Sequence, residues 1–176
     1  MPTVNSFGQL PFELILAGIT YPDPSYSVSR KCSNVCIIEY ITSGEGTVIC
    51  NGTSYNIKTG DTYILTQGSE HIYYSNKNDP WEKKWMNVAG PLCESLLELY
   101  GISGMIHFTN CNIGELFDEF FEFCEKQANL EFLNDFAAVT FHRMVQKLAE
   151  NSEKNCEHGR KGKGLYRQKY LCQNKC

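Results

Sequence analysis

Short runs of β-branched and aromatic residues, separated by glycine, proline and asparagine, fill the first half of this chain. After Pro91 the spacing of apolar positions changes to a helical one. Glu13 to Thr20 (ELILAGIT) reads as a strand, broken by Pro22, Asp23 and Pro24. Val35 to Thr42 (VCIIEYIT) reads as a second, followed by a turn at Gly44–Gly46. Thr47 to Cys50 and Thr53 to Ile57 flank Asn51-Gly52, the signature of a two-residue type I′ hairpin, because both turn positions need positive φ. Lys58 to Asp61 is another turn, and Thr62 to Thr66, His71 to Ser75 and Lys84 to Ala89 complete the β region. Six to eight closely spaced strands predict a small sandwich or barrel.

Beyond Pro91 three helices are expected. Leu92, Leu96, Leu97 and Tyr100 mark a short one. Ile113, Leu116, Phe117, Phe120, Phe121 and Cys124 recur at i, i+3, i+4, i+7, i+8 and i+11, with Asn112 and Glu115 placed as a capping pair. Leu133, Phe136, Ala137, Thr140, Phe141, Met144, Val145 and Leu148 mark the third. Strands first and helices after is an α+β arrangement. The expected division is a β-barrel with an N-terminal arm over residues 1–90, a helical packing and dimerisation segment over 91–150, and a disordered tail over 151–176. The second helix reads as core. The third has apolar residues on more than one face, Phe132, Val139 and Phe141 as well, a surplus of apolar surface that makes it the better candidate for the dimer interface.

Composition narrows the class. The chain has 176 residues, 42% hydrophobic and 20% charged, as in a soluble globular protein. The tail holds seven Lys/Arg against two Asp/Glu, which leaves nine basic and eighteen acidic residues in the first 150. An acidic body is a poor nucleic-acid binder, so direct DNA binding by this chain is not expected. The apolar run from Leu14 to Ile19 is too short to span a bilayer, and no basic segment of a signal peptide precedes it. The nine cysteines include no C-x-x-C pair. Reduced thiols in a cytoplasmic protein fit that pattern.

The chemistry centres on Gly60 to Trp85, which holds the first histidine, His71, with Tyr63, Tyr73, Tyr74, Trp81 and Trp85. Gly60 and the six residues Thr66 to His71 resemble the second half of the cupin signature, with Thr66 where a proline is usual. Metal cupins add two histidines and a carboxylate from upstream, and no histidine precedes His71 here. A first-row metal wants three or four converging ligands, so neither metal nor cofactor is expected. A Cys–His nucleophile would need an adjacency that sequence does not show. Glu39, Asp61 and Glu70 have ordinary strand and turn roles. An aromatic-lined pocket for an organic ligand is the best reading of the cluster. Core packing is the alternative for each aromatic taken singly.

Tyr40 to Pro91 also carries a G-x-G hairpin, Gly60-Asp61, His71, Tyr73 and the Pro80-Trp81 to Trp85 spacing before Gly90-Pro91. In this series the chain resembles the N-terminal effector-binding domain of AraC-type transcriptional regulators, over residues from about 13 to 150. The resemblance implies a cupin-like double-stranded β-barrel (jelly roll) without metal. It would bind a small-molecule effector, often a carbohydrate, and pass to helices that form a homodimer. Carried onto this sequence, it makes Thr20, Arg30, His71, Tyr73 and Trp85 ligand-binding candidates, with Trp81 beside them. His71 would act as a hydrogen-bond partner, and Arg30 would offer its planar fork of donors to vicinal hydroxyls. Regulators of this kind continue into a domain with two helix-turn-helix units. The stretch after Glu150 does not resemble one, so the chain reads as a truncated or frame-shifted form of a longer regulator.

Two other functions stay open at this point. One is a cupin-type sugar isomerase or epimerase, which would show paired acid–base residues or clustered histidines around the pocket. The other is an orphan scaffold that dimerises without binding a ligand.

Overall fold

The computed structural model describes residues 10–160. Nine strands and three helices follow in order. The strands are β1 (Glu13–Thr20), β2 (Ser27–Arg30), β3 (Cys36–Ser43), β4 (Glu45–Cys50), β5 (Thr53–Lys58), β6 (Thr62–Leu65), β7 (His71–Ser75), β8 (Glu82–Ala89) and β9 (His107–Phe108). The helices are α1 (Pro91–Leu99), α2 (Gly114–Lys126) and α3 (Leu130–Arg160). One antiparallel sheet has the order β1-β8-β3-β6-β9 and the other β2-β7-β4-β5. Strands β1 to β8 thereby make the two facing sheets of a jelly roll, as in cupins.

The two sheets carry different sequence patterns because they face different surroundings. The first packs one face on the second sheet and the other on the helices. Its strands are therefore apolar on both faces: four successive residues of β6 (TYIL) are all buried. The second sheet has one face in water, and β7 alternates buried and exposed along its length. Asn51 and Gly52 take positive φ, 47° and 82°, in the turn between β4 and β5, as a type I′ hairpin requires.

The helices cover the first sheet. Phe12, Ile38, Ile64, Met86 and Val88 form one core with Leu97, Phe117, Phe120 and Met144. Phe141, expected on the outer surface of α3, belongs to this core instead, with its ring 5.8 Å from that of Phe12. The long helix turns it inward on the same stripe as Ala137 and Met144, whereas Phe132 and Val139 remain 56% and 57% exposed. The side chain of Asn134 on α3 accepts a hydrogen bond from Leu14 N (2.8 Å) and donates one to Phe12 O (3.2 Å). Arg143 of α3 pairs with Glu119 of α2. At the start of α2, Asn112 Oδ1 accepts from Gly114 N at 2.8 Å.

Three elements differ from the sequence expectation. The short β2 and the two-residue β9 are additional strands, too brief for periodicity to reveal. α3 does not stop at Glu150 but runs to Arg160. A helix propagates through polar residues without an apolar stripe once its preceding turns are packed. The N-terminal arm is described only from Leu10, and the expected tail from 161 onward lies outside the described residues. Among the described residues, no helix is long and apolar enough to cross a membrane. Cys32, Cys36, Cys50, Cys93, Cys111 and Cys124 are free. Burial pushes the Cys93 and Cys111 thiols up to about 12 and about 11.

Candidate functional site

Strand register arranges the barrel interior in three layers, because directly paired residues face the same side of a sheet. At one end stand Leu16, Asn87 and Ile37 on the first sheet, opposite Arg30, His71 and Cys50 on the second. The middle layer has Gly18, Trp85, Glu39 and Tyr63 against Val28, Tyr73 and Val48. At the far end, Thr20, Lys83 and Ile41 face Ser75 and Gly46. Leu14 pairs with Val88 on the helix side, yet Leu16 pairs with Asn87 on the barrel side. An irregularity between them, at Ile15, switches the phase of β1.

All six residues singled out in the sequence therefore line this interior or its mouth. Arg30 and His71 are cross-strand neighbours, and Tyr73 follows on the same face. Thr20 and Trp85 come from β1 and β8. Trp81 is fully buried and stacks on Tyr63, with centroids 6.2 Å apart. The ring of His71 lies 5.8 Å from that of Tyr73. Beside Arg30 the sheets part into an open depression of about 670 Å³, bordered by Leu16, Asn34, Val35, Gln67 and Asn87.

Sequence reasoning missed the centre of the interior. Lys83, fully buried, forms an ion pair with the equally buried Glu39 and donates to Tyr63 Oη at 3.1 Å. Tyr63 Oη in turn donates to Glu39 Oε2 at 2.6 Å. The Lys83 ammonium also lies 4.3 Å from the ring centroid of Tyr73, 4.6 Å from Trp81 and 4.8 Å from Tyr26. Burial lowers the pKa of Lys83, and Glu39 opposes that shift. Burial, with the Glu39 charge beside it, raises the Tyr63 phenol well above its ordinary range. Two signals were available: a lone carboxylate inside the apolar run Cys36–Ser43, and a lysine at the inward phase of β8. Within Glu82-Lys83-Lys84 that lysine reads as solvated charge.

The tautomer of His71 follows from its neighbours. Ser69 Oγ has one hydrogen and gives it to Thr66 O at 2.7 Å. At 2.9 Å from His71 Nδ1, that oxygen must therefore accept, so Nδ1 carries the hydrogen. Burial, then the Arg30 charge, lowers the His71 pKa to about 4. Nε2 is thus a bare lone pair at neutral pH, 1% exposed as a residue and without a protein partner. It suits a ligand hydroxyl. Trp81 Nε1, Trp85 Nε1 and Ser75 Oγ are also buried without partners. Four of the five such side-chain atoms among the described residues belong to this interior. Native proteins satisfy nearly all buried polar groups, so their concentration in one place singles this interior out as the candidate site.

Other polar clusters serve structure. Asp61 accepts from Lys58 N (3.2 Å) and Asn110 N (2.9 Å) and meets His107 Nε2 at 2.8 Å, which ties the Gly60-Asp61 turn to β9. Among the described residues, no group of three or more His, Cys, Asp or Glu could hold a metal ion.

Known proteins resemble this architecture. A structure of apo ToxT from Vibrio cholerae superposes with a TM-score of 0.54 at 13% identity, covering 82% of this chain and 58% of that one. The lactose operon transcription activator of Staphylococcus xylosus is 30% identical over 66 residues, 38% of this chain and 22% of that protein. The Msm operon regulatory protein of Streptococcus mutans is 24% identical over 76 residues, 43% of this chain and 27% of that protein. The chain thus matches about a quarter of the length of these curated relatives. The sequence profile of the AraC-like ligand binding domain matches residues 13–143. With that match over most of its length, on a jelly roll whose interior is lined with unpartnered polar atoms, the chain belongs to the AraC-like ligand-binding domain family.

Proposed function

We propose that this chain is the effector-sensing and dimerising part of a cytoplasmic transcription regulator, and that its effector is a carbohydrate held in the open end of the barrel. The observation that carries the reading is the pair of unpartnered buried atoms in the layers nearer the opening, His71 Nε2 and Trp85 Nε1. A sugar offers what they lack, since its hydroxyls both donate and accept while its C–H faces stack on aromatic rings. Arg30 and Tyr73 supply further polar contacts from the same faces, whereas Thr20 stands at the far end and is not part of this set. The name of the lactose operon activator supports a role in regulating a sugar operon. Self-association is assigned to the α2/α3 surface, where Phe132 and Val139 flank Phe123 and Phe136 around an apolar depression of about 450 Å³.

A thermal-shift screen of the purified chain against monosaccharides, disaccharides and sugar acids tests the first half. A ligand at 100 times its Kd stabilises the fold by about 2.7 kcal/mol. The shift is expected to disappear in Trp85→Ala. A folded chain that no sugar stabilises leaves only the orphan scaffold. The isomerase alternative rests on Glu39, Tyr63 and Lys83, which here satisfy one another. Turnover of a bound sugar, followed by NMR on the same samples, would restore it.

A further inference from the structure

The charges of the barrel interior do not cancel. Glu39 and Lys83 neutralise one another. His71 is neutral at physiological pH, with its one ring hydrogen committed to Ser69. Arg30 remains, half-buried in the layer nearest the opening. Among the described residues it forms no ion pair; the exposed Glu13 on the opposite rim of the depression does not reach it. Arg30 is the cross-strand neighbour of His71 on the inward face of β2 and lines the depression at the opening. The depression beside it is lined with amides, Asn34, Gln67 and Asn87, which donate and accept but carry no charge.

We infer that the effector is an acidic sugar, with a carboxylate or phosphate seated on Arg30 at the mouth and its hydroxyls turned towards the amides of Asn34, Gln67 and Asn87. This deepens the effector-binding reading above and rests on it. A planar guanidinium matches either anion with two parallel hydrogen bonds, and such charge-assisted pairs are about twice as strong as neutral ones. A neutral sugar in the same place would partly desolvate the cation without compensating its charge. The amides around Arg30 ask for a polyol rather than a hydrocarbon chain, because Asn34, Gln67 and Asn87 each offer a donor and an acceptor.

Calorimetric titration of the intact chain with matched sets separates the possibilities. Each set holds a neutral aldose, its uronic acid and its sugar phosphate, with glucose and galactose as parents. One acidic member is expected to bind at least about tenfold more tightly than its neutral parent, the gain expected of one charge-assisted contact. Which acidic member wins tells carboxylate from phosphate. Arg30→Gln should bring that member down to the level of the parent, while Arg30→Lys keeps part of the preference. Circular dichroism confirms that each variant is folded. A neutral parent that binds as tightly as its acids, or a preference that survives Arg30→Gln, overturns the acidic effector and leaves a sugar sensor standing. A folded chain that binds no member of any set overturns both.

Discussion

Gly46 of β4 lies flat against the indole of Trp81: a Cβ on this glycine would sit 2.3 Å from Trp81 Cε3 and 2.6 Å from Tyr74 O. Backbone and ring both occupy the space a methyl group needs. The far end of the barrel is closed by this contact, and Trp81 is held where Tyr63 stacks on it. Gly46→Ala is therefore expected to destabilise the fold by about 1–3 kcal/mol, the usual range for overpacking. Urea denaturation should show a lower midpoint at unchanged slope. A midpoint equal to that of the parent would mean that the indole has room to move.

Glu39 and Lys83 should behave as a unit. Glu39→Gln leaves a buried ammonium without its counter-charge, and losses of about 3–5 kcal/mol are typical for one half of a buried pair. Lys83→Met alone strands the carboxylate in the same way. The double variant Glu39→Leu/Lys83→Met is expected to recover most of that loss, because apolar groups of similar volume replace an expensive pair. A double-mutant cycle by chemical denaturation reads the coupling directly, and additive losses would contradict the direct pair.

His71 makes stability depend on pH in a defined direction. Its pKa is lowered from the ordinary 6.5 to about 4 on folding, so the unfolded chain takes up the proton first. The stability that the neutral ring contributes is fully present above about 6.5 and is lost as pH falls through that value towards 4, where the folded form is protonated too. The loss is on the order of 3 kcal/mol. His71→Gln is expected to flatten this part of the profile, and the difference between the two pH–stability curves isolates it from His107 and His142. A bound effector that donates a hydroxyl to Nε2 should steepen the same acid limb.

Phe132 and Val139 are large apolar residues in water on α3. If they form the self-association surface, Val139→Glu and Phe132→Glu should turn a dimer into a monomer in sedimentation velocity, with a thermal midpoint that does not fall in the monomer. A dimer that survives both changes places the interface elsewhere.

Much of this arrangement was legible in the sequence, and what escaped has physical reasons. The Asn51-Gly52 hairpin and the limits of β1 and β7 follow from turn chemistry and β-branched runs, both local signals. The helical stripe of α2 is local too. Lys83 was invisible because its partner, Glu39, is separated from it by 44 positions of chain, and only the pairing of β3 with β8 brings them together. Tyr26, whose ring also lies near the Lys83 ammonium, arrives by a loop that carries no periodicity. Phe141 sits at the margin of the α3 stripe, and its inward direction is decided by Phe12 in the segment leading into β1. The six candidate residues were found from family resemblance and cluster as a group. Their roles as ligand contacts rest on the experiments above.

The switch of phase at Ile15 has a mechanical consequence. Leu16 borders the depression where a ligand would press, and Leu14 is tethered through its backbone to Asn134 on α3. The two lie two positions apart on the same strand, about 7 Å of extended chain. The edge strand thus works as a lever with a very short arm. A push on one side of the sheet reaches the long helix along covalent bonds, and no relay of repacking side chains is needed. The stiffness of the irregular peptide unit at Ile15, which itself borders the depression, would then govern how much of such a push arrives.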